Sequence, residues 1–252
     1  MIKKFKKNRK QNWKIYYGLK EKMMFGKMKP PRYRFKFPNT VLFISGIPLS
    51  GKSTVTPLVA TDIEGCATQS MDIFRLLSQE FENRKKLSDR NPFVKFGSCD
   101  SYQNIGKGEY TPKNLVIGFN KYAEAVSSLL PLVLPKLEAQ GVRDIIFEGV
   151  QLTPLIVEPY LRNRNKLIIL TTKEERLNLN RTKIFGNDKQ LLERYSTDKL
   201  FILQNELIKQ SKQINNSSFT LVENIDDYHI TANIIIDFLE KADVIETLTD
   251  NK

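Results

Sequence analysis

The chain has 252 residues, 40% hydrophobic and 27% charged, with a formal net charge of +12. That is enough for one sizeable α/β domain with its own core. Cys66 and Cys99 form no C-x-x-C, which argues against a disulfide framework or metal knuckle and fits a reducing, cytoplasmic setting. The single histidine, His229, disfavours a His base or a multi-His metal site, and the longest apolar runs are far below membrane-spanning length.

The charge is concentrated at the start. Residues 1–38 hold 14 Lys and Arg against one acid, Glu21, while the remainder holds 26 basic and 27 acidic residues. The reading is a basic, flexible extension over 1–38 followed by one domain over 39–252. Trp13, Tyr16, Tyr17 and Phe25 interleave with the lysines. That mixture suits gripping phosphates and stacking on bases, so RNA or another polyanion is the partner class it points to. The simpler reading is a solvated extension. No apolar h-region follows the positive start, so it does not read as a secretory signal.

Residues 41–45 form an apolar strand that runs into Gly46-Ile47-Pro48-Leu49-Ser50-Gly51-Lys52-Ser53, a G-x-x-x-x-G-K-S phosphate loop. Gly46 and Gly51 let the backbone curl so that its N–H groups cradle phosphate oxygens. Lys52 is in reach of the β- and γ-phosphates, and the Ser53 hydroxyl is a Mg²⁺ ligand. A helix beginning near Thr54 turns its positive end to the anion. ATP and Mg²⁺ are the expected cofactors, held by residues 46–54.

A short second strand over 65–70 leads to a helix from Met71 through Phe81. Asp72 and Arg75, three apart, share one helix face just past a strand's C-terminal end, where open α/β sheets bind ligands. Asp72 is placed to orient or deprotonate an acceptor hydroxyl, and Arg75 to clamp an anionic acceptor. Residues 82–112 are polar and irregular, an insertion over the site. Residues 115–137 read as helix, kinked or divided by Pro131 and Pro135. A third strand over 144–149 ends at Glu148, a carboxylate for Mg²⁺ or for positioning a reactant. A fourth covers 166–172.

Arg176, Arg181 and Arg194 follow in an amphipathic stretch broken near Gly186-Asn187-Asp188. They read as a helical lid that brings arginine to the transferring phosphoryl group. Another helix covers 200–214 and a fifth strand 219–224. Asp226 or Asp227 caps the last helix, which runs through Leu239. The fold class is a P-loop three-layer α/β sandwich, mainly parallel, with about five strands and a helical lid. One triphosphate site, one Asp-x-x-Arg and one arginine-rich lid describe a small-molecule kinase.

Residues 148–154, E-G-V-Q-L-T-P, resemble the E-G-V-H-x-x-P segment of archaeal-type 2-phosphoglycerate kinases. Asp72-x-x-Arg75 falls on that family's D-x-x-R. Residues 98–102, S-C-D-S-Y, are similar to its T-S-S-Y, Gly118-Phe119 to a G-F, and Arg194-Tyr195 to an R-Y after its lid. The resemblance spans roughly residues 40–224. It implies transfer of the ATP γ-phosphoryl group to the free hydroxyl of 2-phosphoglycerate or a similar small anionic metabolite. It further implies Arg75, Arg181 and Arg194 as phosphate or carboxylate clamps and Asp72 as the acceptor-orienting carboxylate, with Tyr102, Glu148 and Gln151 at the substrate. Gln151 stands where the family usually has His, and the basic extension stands where longer members carry an ATP-cone-like region. Two other readings stay open: a polynucleotide, RNA-end or zeta-toxin-like kinase, and a nucleotide-binding regulatory module with little turnover.

Overall fold

The computed structural model describes residues 30–86, 90–161, 164–214, 216–225 and 227–248. The chain divides between Pro31 and Arg32 into two units, Met1–Pro31 and Arg32–Lys252. Residues 1–29 of the basic extension, with its aromatics, and Asp226 lie outside the described residues. Among the described residues no helix is long and apolar enough to cross a membrane.

Among the described residues there are seven strands: β1 (Tyr33–Phe35), β2 (Val41–Gly46), β3 (Ala67–Ser70), β4 (Ile145–Glu148), β5 (Lys166–Thr171), β6 (Phe219–Glu223) and β7 (Ile245–Thr247). The helices are α1 (Lys52–Asp62), α2 (Met71–Arg84), α3 (Pro112–Ser127), α4 (Leu130–Ala139), α5 (Pro154–Val157), α6 (Glu174–Phe185), α7 (Lys189–Arg194), α8 (Thr197–Ser211) and α9 (Tyr228–Lys241). Five strands form one parallel sheet in the order β3-β4-β2-β5-β6. The expected α/β sandwich of five parallel strands is what the chain adopts.

Continuous apolar runs make these strands. A parallel strand is covered on both faces, so it carries no polar alternation. Leu42, Phe43 and Ile44 are all fully buried. Phe43, Phe147, Leu167 and Ile169 face one core with Phe74, Leu115 and Leu203. Leu42, Ile44, Ile146 and Ile168 face the other with Val55, Val59 and Ile235. The sheet is therefore the middle of three layers. Its register aligns Ile44 with Glu148 and Glu148 with Ser70, so the carboxylate at the end of β4 lies between the phosphate loop and the start of α2.

Helix boundaries follow local chemistry. The Asp227 carboxylate accepts from the N–H groups of His229 and Ile230, so it caps α9. Pro131 sits at the start of α4, and the expected long helix is two helices with a break after Ser127. Asp188 caps α7, which leaves the break after α6 at residues 186–188 as the sequence suggests. Residues 33–35, expected within the extension, instead form β1, paired antiparallel with β7. Arg34 bonds Glu246 at 2.6 Å and Arg32 bonds Asp62 at 2.7 Å.

Residues 92–94 and 101–104 form short 3₁₀ turns within the irregular insertion. The second lies against α3 at Gly118. A Cβ there would come within 2.5 Å of the Ser101 carbonyl carbon and oxygen and 2.7 Å of the Tyr102 nitrogen. Gly118→Ala is therefore expected to destabilise the fold by about 1–3 kcal/mol. Urea unfolding measures this, and an unchanged midpoint would refute the close approach.

Candidate active site

The loop between β2 and α1 needs both of its glycines. Gly46 has φ of 146° and Gly51 of 90°. A Cβ on Gly46 would lie 2.5 Å from the Leu170 carbonyl oxygen, and one on Gly51 would lie 2.2 Å from Asn224 Nδ2. Leu49 also has a positive φ, 68°, which is uncommon for a residue with a side chain. Two asparagines hold this shape. Asn224, just past β6, donates to the Ser50 carbonyl at 2.5 Å and accepts from Thr231 Oγ1 at 3.0 Å. Asn180 of α6 donates to the Leu49 carbonyl at 3.0 Å. α6 is thereby fastened to the loop.

Lys52 is buried, with Nζ donating to the Ile47 carbonyl at 2.7 Å and to Ser50 Oγ at 3.4 Å. Burial pulls its pKa down to about 8, against the raising influence of Glu148 and then Asp72. A desolvated ammonium surrounded by neutral acceptors is set to gain from an arriving anion. Ser53 is exposed, and its Oγ donates to both Glu148 oxygens at 3.4 Å. Glu148 is buried at the end of β4. Among the described residues no group of three or more His, Cys, Asp or Glu side chains is placed to hold a metal. A Mg²⁺ at Ser53 and Glu148 would thus complete its oxygen shell with phosphate and water, as Mg²⁺ commonly does.

On the β3 side, Asp72 lies in the first turn of α2 with its side chain 71% exposed. Arg75 Nε lies 3.7 Å from Asp72 Oδ1, and Arg75 also donates to Gln79 at 3.4 Å. Tyr122 of α3 is buried, and burial raises its pKa, while the charges of Arg75 and Asp72 both reach it. Gln151 Nε2 donates to the Tyr122 hydroxyl at 2.7 Å, and the buried Gln151 Oε1 has no hydrogen-bond partner among the described residues. Tyr195 is half-buried, and its pKa too is raised by burial. The charges of Arg194 and Arg75 both oppose that rise.

The structure brings Lys52, Ser53, Glu148, Asp72 and Arg75 to adjoining strand ends. Two other expected residues are engaged elsewhere. Arg181 donates to Asn178 at 3.0 Å, Thr197 at 2.7 Å and the Leu192 carbonyl at 2.7 Å, so it ties α6, α7 and α8 together. Tyr102 packs edge-on against Tyr110, and Lys199 Nζ sits 5.2 Å from the centre of each ring. Arg194 pairs with Asp100. Asn224, Asn180, Tyr122 and Asp100 were not singled out from the sequence. Only Asn224 carried a usable signal there, its place at the C-terminal end of a core strand.

No protein-family model matches the chain, and no curated protein matches it. Among solved structures it is similar to TT1252 from Thermus thermophilus, at 16% identity and a TM-score of 0.48, over 82% of this chain and 98% of that one. It is also similar to a gluconokinase from Sinorhizobium meliloti, at 11% identity and a TM-score of 0.42, over 81% and 93%. A shikimate kinase from Acinetobacter baumannii, in complex with shikimate, aligns at 14% identity and a TM-score of 0.43, over 82% and 94%. The chemistry of the site is read from this chain's own residues.

Lys52 gives a pH signature that needs no ligand. Its folded pKa of about 8 lies below the ordinary 10.5. Between those values the unfolded chain holds the proton and the folded chain does not, so stability rises with pH in that window. Relative to Lys52→Met, the wild type is expected to be less stable at pH 7, by about 3 kcal/mol at most, with the gap closing towards pH 10.5. Denaturant melts at several pH values measure this, and a gap independent of pH would place the ammonium in water.

Proposed function

We propose that the chain is an ATP-dependent kinase that transfers the γ-phosphoryl group to a hydroxyl of a small anionic metabolite, 2-phosphoglycerate or a similar phosphorylated acid. The observation that carries this reading is the grouping at three adjoining strand ends. The buried Lys52 and the exposed Ser53 follow β2, Glu148 ends β4, and Asp72 with Arg75 opens the helix after β3. Phosphoryl transfer needs positioning and charge neutralisation more than covalent chemistry, and this grouping offers both.

In this reading the loop N–H groups and Lys52 hold the β- and γ-phosphates. Ser53 and Glu148 hold Mg²⁺, which when bound screens the phosphate charge. Asp72 orients the acceptor hydroxyl and takes its proton. The acceptor oxygen forms a bond to the γ-phosphorus as the bond to the β,γ-bridging oxygen breaks, and ADP leaves. Arg75 and Arg194 grip the anionic groups of the acceptor. Arg181 serves the lid's framework and not the phosphoryl group.

A nucleotide-consumption screen tests the acceptor, with phosphorylated sugar acids including 2-phosphoglycerate beside nucleosides and RNA 5′ ends. Turnover with the phosphorylated acids alone supports the reading, and turnover with RNA ends alone replaces it. Lys52→Ala is expected to lower kcat by at least about a hundredfold, since it removes the charge that neutralises the transferring group. Undiminished turnover in that variant would sink the assignment. Asp72→Asn should lower kcat by more than tenfold with nucleotide affinity held within about twofold, as expected for a group acting on the acceptor proton. A loss confined to nucleotide affinity would instead make Asp72 part of the donor site.

A further inference from the structure

The turn at residues 98–101 carries a carboxylate that the proposed reaction has not yet used. Asp100 is buried, its side chain only 8% exposed, and its carboxylate accepts from Nε of Arg194. Burial pulls the Arg194 pKa down, and the hydrogen bond and charge of Asp100 together raise it past its ordinary value. Arg194 itself is 44% exposed. No other hydrogen bond holds its side chain among the described residues, so both Nη groups keep their donors. A guanidinium held by Nε alone presents a planar fork suited to bidentate recognition of an oxyanion.

The two ends of this contact are braced. On the Asp100 side, the turn lies on Gly118, where a Cβ would not fit, and Ser101 Oγ donates to the Ser98 carbonyl at 2.8 Å. On the Arg194 side, Arg181 bonds the Leu192 carbonyl and Thr197, and Lys199 Nζ lies 5.2 Å from the ring centres of Tyr102 and Tyr110. A buried carboxylate whose one partner is an exposed arginine costs stability unless it stays paired. The pairing therefore fixes where the lid's last turn stands.

We propose that Asp100 is a positioning residue for the acceptor: it anchors Arg194 through Nε and turns the free Nη fork towards an anionic group, phosphate or carboxylate, of the acceptor molecule. This deepens the kinase reading above and rests on it for the nature of the ligand. Asp100 does not touch the acceptor. It acts through Arg194.

The test uses the whole chain, with the phosphate loop filled by magnesium and a non-hydrolysable ATP analogue, so that an added anion reads the acceptor side alone. Inorganic phosphate and acetate are titrated in parallel by calorimetry, and the tighter of the two names the anionic group. Asp100→Asn is expected to weaken that anion at least tenfold and to leave the affinity for the ATP analogue within twofold. Asp100→Glu should recover most of the loss. Arg194→Ala should match the loss, with no further loss in the double variant. Unchanged anion binding in Asp100→Asn, an equal fall in analogue affinity, or no anion binding by the wild type would each overturn the proposal. Should Asp100→Asn fail to fold, Arg194→Lys decides: it keeps the charge and loses Nε, so a tenfold loss supports the fork and wild-type affinity refutes it. Failure of the kinase reading is separate, since it shows as analogue and anion binding with no phosphoryl transfer from ATP.

Discussion

A buried ammonium sets the terms for the rest of this molecule. Lys52 is out of water with a carbonyl and a hydroxyl as its acceptors, and its pKa falls from 10.5 to about 8. That shift corresponds to about 3 kcal/mol of disfavour for the charged form. The surrounding structure holds the charge in place. Asn224 and Asn180 fix the carbonyls of Ser50 and Leu49, and the two glycines admit a backbone path that a side chain would block. In the proposed reading the loop is thus built before its anion arrives, and arrival would relieve a penalty already present in the fold. Preorganisation of this kind is where electrostatic catalysis gets most of its effect.

In the proposed kinase reading, the donor and acceptor halves are made from different materials. The donor half uses backbone groups and neutral amides around one cation, with the Glu148 carboxylate beside Ser53. The acceptor half uses side-chain charges: Asp72 with Arg75, and Asp100 with Arg194. A triphosphate donor would be the same in every turnover, so a fixed backbone cradle would suit it. An acceptor must be told from its chemical neighbours, and charged forks with set directions are better at that. The lid joins the halves, since Asn180 touches the loop and Arg194 the acceptor-side turn.

Much of the fold was legible because buried parallel strands write themselves as unbroken apolar runs. β2, β4 and β5 are such runs, and the G-x-x-x-x-G-K-S loop follows the first of them, the central strand of the sheet. β1 and β7 were hidden, because three-residue strands paired across some two hundred positions leave no local pattern. Lys52, Glu148 and Asp72 stood out in the sequence since each lies at a strand end or helix start, and the structure keeps them there. Arg181 was misleading because the sequence shows a cation in a lid and not its partners, Asn178, Thr197 and the Leu192 carbonyl.

Asp100 shows the limit most sharply. In the sequence it is one polar residue in an irregular stretch, 94 positions from the arginine it holds. Its value comes from three tertiary facts together: Gly118 lets the turn approach α3, the turn is buried, and α7 ends where Arg194 can reach it. None has a short-range signature. A carboxylate buried by such packing must be paired, and the arginine that pairs with it is thereby aimed. Direction, and not charge alone, is what tertiary structure adds to the arginines that the sequence could only count.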